Sequence, residues 1–150
     1  MTAKIEVENL MIELFDFAKK MLKQYGEFHP FGGYLDANKQ VVHIGVDMMI
    51  SADSTGNDRL DLLVDTFKST LKIHTAVAFG LVTNVTLQKD GGEKQDAIKL
   101  FLEHQEGYCV EVFFEYTVLS NKTVEIIAKF AQAGEAVFFK HRTENKWGRK

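Results

Sequence analysis

One stretch near the middle of the chain, residues 97–118, strongly restricts what this sequence can fold into. Its sequence, AIKLFLEHQEGYCVEVFFEYTV, contains two runs of alternating apolar and polar residues on either side of Gln105-Glu106-Gly107. Alternation with a period of two is typical of β-strands, and a glycine suits the left-handed last position of a three-residue hairpin turn. The stretch therefore predicts an antiparallel β-hairpin.

The length of the turn decides which side chains share a face of this hairpin. A three-residue turn pairs His104 with Tyr108. It collects an apolar set on one face, namely Ile98, Leu100, Leu102, Tyr108, Val110, Val112 and Phe114. A two-residue Glu106-Gly107 turn would instead put Glu103 on the face of Tyr108. Because a slip of one residue moves a whole apolar set to the wrong side, we predict the first register.

The second face of the hairpin carries the candidate site residues. In the predicted register it holds Phe101, Glu103, Glu111, Phe113 and Glu115, together with Lys99 and Cys109. Glu103 and Glu111 are diagonal neighbours, so one carboxylate can raise the pKa of the other where water is excluded. Paired carboxylates can perform acid–base chemistry or bind a divalent cation. We favour the simpler interpretation, a solvated face or the rim of a dimer interface.

The remaining patterns predict an α+β domain. Apolar residues at three- and four-residue spacing predict a helix over residues 4–25 that ends at Gly26. Its sheet-facing residues are expected to be Leu10, Leu14, Phe17 and Met21. A second helix is predicted over 58–73, and further strands over 33–35, 40–46, 76–87, 123–130 and 136–139.

This order, α-β-β-α-β-β-β-β with tight turns, favours a mainly antiparallel sheet of about five to six strands with two helices packed on one face. It resembles the roadblock and profilin-like folds, in which two helices flank a five-stranded antiparallel sheet. The resemblance concerns the fold and implies no function.

Length and charge indicate one domain over residues 1–139, followed by a basic tail, 140–150, that we expect to be partly disordered. The net charge is −3, and the tail alone holds five basic residues against one acidic residue. The acidic body argues against a nucleic-acid partner. With one cysteine, no signal peptide and no long apolar run, we expect a cytoplasmic protein without a membrane partner.

Other residues with chemical potential form no complete motif. No two of the five histidines have the i, i+4 spacing of a helical metal site, although His29, His43 and His104 can still converge through the fold. We interpret His104 as a hydrogen-bonded structural residue and Cys109 as a partly buried residue rather than a nucleophile. The loop 90–94 lacks the ending of a phosphate-binding loop. We therefore predict no catalytic, metal or cofactor-binding residues, and the pattern leans away from an enzyme.

Three segments resemble a family of small bacterial α+β proteins to which no function is assigned. They are GEFHPFG at 26–32, GEKQDAI at 92–98 and LEHQEGY at 102–108. The family is similar in its G-E-F-x-P-F, G-E-K-x-D-A-I and L-E-H-x-x-G-Y stretches. The resemblance covers about residues 5–139 and implies a single α+β domain in a bacterial cytoplasm. It transfers no functional residue.

The predicted function follows from the aromatic residues of the second face. No predicted element clearly covers Phe101 and Phe113, and an exposed Phe costs about 1.5–3 kcal/mol relative to burial. We therefore expect a non-enzymatic protein-interaction or immunity-type module that forms a homodimer with Phe113 at or near the interface. The alternative is a small-ligand-binding protein or an enzyme that uses the carboxylates of the same face.

Overall fold

The structure, a computed structural model, describes residues 2–45 and 76–139, together with residues 61, 62, 64, 65, 68 and 69. In the two long ranges the elements are α1 (Ala3–Tyr25), β1 (Phe31–Asp36), β2 (Val41–Gly45), β3 (Ala76–Gln88), β4 (Lys94–His104), β5 (Cys109–Val118) and β6 (Val124–Ala133). These six strands form one antiparallel sheet in the order β2-β1-β3-β4-β5-β6. The α+β class and the antiparallel sheet are thus confirmed, with one strand more than the five of the roadblock and profilin-like folds.

Helix α1 begins and ends where its capping residues predict. The hydroxyl of Thr2 accepts a hydrogen bond from the backbone N–H of Ile5 at 3.2 Å. Gly26 adopts the left-handed conformation with φ of 78°, and its N–H donates to the carbonyl of Leu22 at 2.8 Å. A non-glycine residue would be strained at this position, so Gly26 stops the helix.

The buried stripe of α1 differs from the prediction at one residue. Leu10 and Leu14 are buried as expected and Met21 is partly buried against the same core, but Phe17 is 37% exposed, so the prediction that it belongs to the buried face is wrong. The stripe continues at four-residue spacing from Leu14 through Ala18 to Leu22. Phe17 lies on the flank of that stripe and contacts Phe31 edge-on, with ring centroids 5.0 Å apart.

Two glycines let α1 lie close to the sheet. Gly33 of β1 pairs with Gly80 of β3, directly beneath Leu14. A Cβ atom on Gly80 would lie 2.6 Å from Leu14 Cδ1, and one on Gly33 would lie 3.1 Å from Leu14 Cδ2. Leu14 therefore packs on bare backbone, which fixes the position of the helix over β1 and β3.

The hairpin register is the predicted one. Leu102 pairs with Val110, and the N–H of His104 donates to the carbonyl of Tyr108 at 2.7 Å. Gly107 has φ of 98°, as the three-residue turn requires. The predicted apolar set faces α1, and the register with a two-residue turn is excluded.

The other face of the sheet has an apolar core of its own. It contains Ala76, Phe79, Leu81, Phe101, Phe138 and Phe139. Leu62 and Val64, from the described part of the predicted second helix, pack against this core and therefore lie opposite α1. The six described residues at 61–69 are helical, but the prediction that both helices share one face is wrong. Because β3 and β4 are apolar on both faces, each face needs its own cover.

Several predicted features lie outside the described residues. These are the polar loop at 51–57, the remaining residues of the helix predicted over 58–73, and the basic tail at 140–150.

Candidate functional site

Glu103, the first of the candidate carboxylates, is buried rather than solvated. Its side chain is 1% exposed and accepts three backbone hydrogen bonds, each 2.8 Å long. Oε1 accepts from the N–H groups of Val137 and Phe138, and Oε2 accepts from Phe139. The expectation of a solvated Glu103 is therefore wrong. Three converging N–H groups satisfy the buried charge in place of a cation.

These hydrogen bonds hold the segment 134–139 against the second face. The ring centroids of Phe138 and Phe139 lie 4.7 and 5.6 Å from that of Phe79, and Phe138 lies 6.2 Å from Phe101. The strand predicted at 136–139 is thus wrong, because this backbone bends around the Glu103 carboxylate. Phe101 is covered by its own chain.

Phe113 is likewise covered within the chain. It is 8% exposed and stacks on Phe130 of β6, with ring centroids 4.7 Å apart and ring planes 9° apart. Lys99 lies over the same ring at 5.8 Å. The argument that a second subunit must shield Phe113 therefore fails at this residue.

The other two carboxylates have separate partners. Glu115 is buried and forms an ion pair with Lys89 at 2.7 Å. Glu111 contacts Lys99 at 3.4 Å and accepts a hydrogen bond from the Gln132 amide at 2.7 Å. Each carboxylate is thus neutralised by groups of its own, and the structure gives no support to a shared acid–base pair.

Of the three, Glu111 alone lines an open groove, which we call the second-face groove. Its volume is about 480 Å³, and Phe101, Lys99 and Gln132 are among the residues that line it. The walls combine the Phe101 ring and Leu81 with two acidic side chains, Glu111 and Glu135, and one basic side chain, Lys99. Such an arrangement suits a small ligand that carries both apolar and charged parts.

Cys109 lies partly buried beside Glu103 and Glu111, two of the three carboxylates of this face. Burial, followed by the negative charges of Glu103 and Glu111, raises the pKa of the Cys109 thiol to about 12. The thiolate, which is the nucleophilic form, is scarce at neutral pH. This supports the interpretation of Cys109 as a structural residue.

His104 has the structural role predicted for it. Its Nδ1 accepts from the backbone N–H of Glu106 at 3.1 Å, so Nδ1 carries no proton and Nε2 donates to Glu6 at 2.7 Å. The second carboxylate oxygen of Glu6 contacts Lys39 at 3.1 Å. The hydrogen bond from His104 lowers the pKa of Glu6, and this buried network joins the start of α1 to the turn of the hairpin.

The other histidines lie elsewhere. His43 on β2 contacts Glu13 of α1 at 3.4 Å, and it lines a groove beside α1 together with His29. His104 does not join them. In the described parts of the chain, no three His, Cys, Asp or Glu side chains come together as a metal site.

The strand predicted over 123–130 is confirmed as β6, but the sequence interpretation missed that this strand forms an exposed edge of the sheet. Its residues are almost all exposed, including Ile126 at 36%, Ile127 at 49% and Phe130 at 40%. The sequence signal is the run Ile126-Ile127-Ala128-Lys129-Phe130, in which apolar side chains fall on both faces of one strand. Exposed apolar residues on an edge strand are typical of an interaction surface.

Comparison with protein-family models, with curated proteins and with solved structures finds no match for this chain. Among the described residues, no helix has the length and apolar character needed to cross a membrane. The site must therefore be interpreted from its own geometry.

Proposed function

We propose that this chain is a non-enzymatic protein-interaction module, in the broad class that includes immunity-type proteins, and that it forms a homodimer through β6. The observation that carries this proposal is the exposed edge of that strand. Within the described ranges β6 pairs with β5 alone, and its ten residues leave a long free edge. Long apolar edge strands readily pair with another chain.

The hydrogen bonds to β5 identify which groups of β6 remain free for a partner. Gly134 donates to the carbonyl of Cys109, and hydrogen-bonded pairs alternate along an antiparallel ladder. The register then directs the backbone groups of Phe130 and Gln132 toward β5. The N–H and C=O groups of Lys129 and Ala131 point outward, where a further strand would bind.

A second copy of the chain fits this edge. If two β6 strands pair antiparallel about a two-fold axis at Phe130, Lys129 of each copy lies opposite the small Ala131 of the other, so like charges do not face each other. The outward groups of these residues then form the hydrogen-bonded pairs of the new ladder. The two Phe130 rings meet on the face where each already stacks on Phe113.

Sedimentation equilibrium at micromolar concentration tests this proposal with the variants Ala131→Pro and Ala131→Ser. Proline removes the outward N–H of Ala131, which bonds to nothing in the sheet, while serine keeps it. We expect the native chain and Ala131→Ser to be dimers, and Ala131→Pro to be a monomer with an unchanged circular dichroism spectrum. Ile127→Lys, at an exposed position, provides a second disruption of the edge. A monomeric native chain, or Ala131→Pro and Ile127→Lys variants that dimerise like the native chain, would contradict the proposal.

The second-face groove favours a second candidate function, the binding of a small zwitterionic ligand. The opposite charges of Lys99 and Glu111 lie 3.4 Å apart beside the Phe101 ring. Thermal-shift measurements with a panel of free amino acids test this function. A stabilisation that Lys99→Met and Glu111→Gln both abolish would support it, and the absence of any stabilisation would rule it out for this class of ligand.

A further inference from the structure

A second groove lies at the opposite edge of the sheet from β6. It runs between the C-terminal half of α1 and the strands β1 and β2, and its volume is about 420 Å³. Four aromatic residues line it, namely Phe17, Tyr25, Phe28 and Phe31. We call it the α1 groove.

The aromatic rings of the α1 groove stand at steep angles to one another. Phe17 and Phe31 make an angle of 71°, with centroids 5.0 Å apart, and Phe28 and Phe31 make an angle of 74° at 5.6 Å. Tyr25 is 63% exposed, although most of its surface is an apolar ring. Phe28 and Phe31 are each only 7% exposed, so the aromatic surface that a ligand can reach comes mainly from Phe17 and Tyr25. The faces of these rings carry the negative part of the ring quadrupole.

Among the described residues that line the groove, the one Asp, Glu, Lys or Arg side chain is acidic. Glu27 lines it, and none of its nine described lining residues is Lys or Arg. An adjoining depression shares Phe17 and His43 with the groove and adds Glu13, Asp16 and Lys20. Asp16 contacts Lys19 at 3.9 Å and Glu13 contacts His43 at 3.4 Å, so Glu27 is the carboxylate available to a cation in the groove.

We propose that the α1 groove binds an organic ammonium ion, that is, a quaternary or methylated amine. Aromatic rings attract such cations through their quadrupoles, and the methyl groups of the ion fill an apolar space. The carboxylate of Glu27 supplies the counter-charge. A neutral ligand of the same shape would gain the apolar contacts but neither of the two electrostatic contributions.

Choline and its neutral isostere 3,3-dimethylbutan-1-ol provide the test, because a tert-butyl group replaces the trimethylammonium group at equal size. Affinities are measured by chemical-shift titration of the native chain. We expect choline to bind about two- to fivefold more tightly than the alcohol, since a cation–π contact at an exposed ring such as Tyr25 contributes about 0.5–1 kcal/mol and 1.4 kcal/mol corresponds to a factor of about ten. Equal affinities, or no shift changes with millimolar choline, would overturn the proposal.

Two variants test whether choline binds in the α1 groove. Tyr25→Leu removes an exposed ring, and Glu27→Gln removes the counter-charge. We expect each variant to weaken choline binding by roughly two- to fivefold, because both side chains are exposed. Ile12→Ala is the matched control, because Ile12 is an exposed residue of α1 that does not line the groove. Choline binding that both Tyr25→Leu and Glu27→Gln leave unchanged would place the ion elsewhere and refute the assignment. The groove lies away from β6, so this result is independent of the dimer.

Discussion

Replacement of Glu103 should release the segment 134–139 from the sheet. In Glu103→Gln the amide oxygen can still accept from the N–H groups of Val137 and Phe138. The amide NH₂ group then faces the N–H of Phe139, and because both are donors this third hydrogen bond is lost. The loss of one charge-assisted hydrogen bond to a buried group costs about 1.5–3 kcal/mol. In Glu103→Ala all three bonds are lost.

The cost of Glu103→Ala is limited because the segment can detach and its N–H groups can regain water. Detachment exposes Phe138 and Phe139, and each buried Phe is worth about 1.5–3 kcal/mol. We therefore expect Glu103→Ala to lower the free energy of unfolding by about 3–6 kcal/mol, and Glu103→Gln by about half as much.

Urea denaturation followed by circular dichroism measures both losses. Glu111→Gln is the matched control on the same face, and its partly exposed ion pair with Lys99 should contribute less than about 1 kcal/mol. A Glu103→Gln variant as stable as Glu111→Gln would refute the conclusion that Glu103 anchors the segment. Faster amide exchange at Phe138 and Phe139 in Glu103→Gln should accompany the loss of stability.

Three further perturbations test separate parts of the fold. In urea denaturation, Leu14→Ala should lower the free energy of unfolding by about 3–5 kcal/mol and Phe17→Ala by about 1 kcal/mol, because Leu14 is fully buried and Phe17 is partly exposed. Equal losses would contradict the observed helix face. The hydrogen bond from His104 lowers the pKa of Glu6 below its ordinary value of 4.5, so the stability that Glu6 contributes is present above that value and lost as the pH falls through the folded-state pKa. In Glu6→Gln the urea midpoint should vary less with pH between neutral pH and the acid range, and an unchanged profile would contradict this. Iodoacetamide should alkylate Cys109 far more slowly in the folded chain than in urea at pH 8, since its pKa is raised to about 12; equal rates would contradict the burial.

The hairpin register was predictable because one physical constraint decided it. Only the pairing of His104 with Tyr108 places an unbroken apolar set on one face, and Gly107 supplies the conformation that this turn needs. The cap of α1 at Gly26 was predictable for a similar reason. In both cases the deciding residues lie close together in the sequence.

The state of the candidate site was not predictable, because it depends on contacts distant in sequence. The alternating pattern predicted that Glu103 lies on the second face. It could not predict that the segment 137–139 covers Glu103 and donates backbone hydrogen bonds to its carboxylate. Phe113 was assigned to the correct face, yet its cover, Phe130, comes from the pairing of β5 with β6. Periodicity gives the direction of a side chain and not what lies above it.

Amide hydrogen exchange along β6, measured residue by residue by NMR at low and high protein concentration, tests the proposed dimer most directly. The N–H groups of Phe130 and Gln132 bond to β5 and serve as internal controls that should be protected at both concentrations. We predict that the outward N–H groups of Lys129 and Ala131 exchange rapidly in the dilute sample and become protected in the concentrated one. Rapid exchange of both outward groups at every concentration, with the controls still protected, would contradict the pairing of two chains through β6.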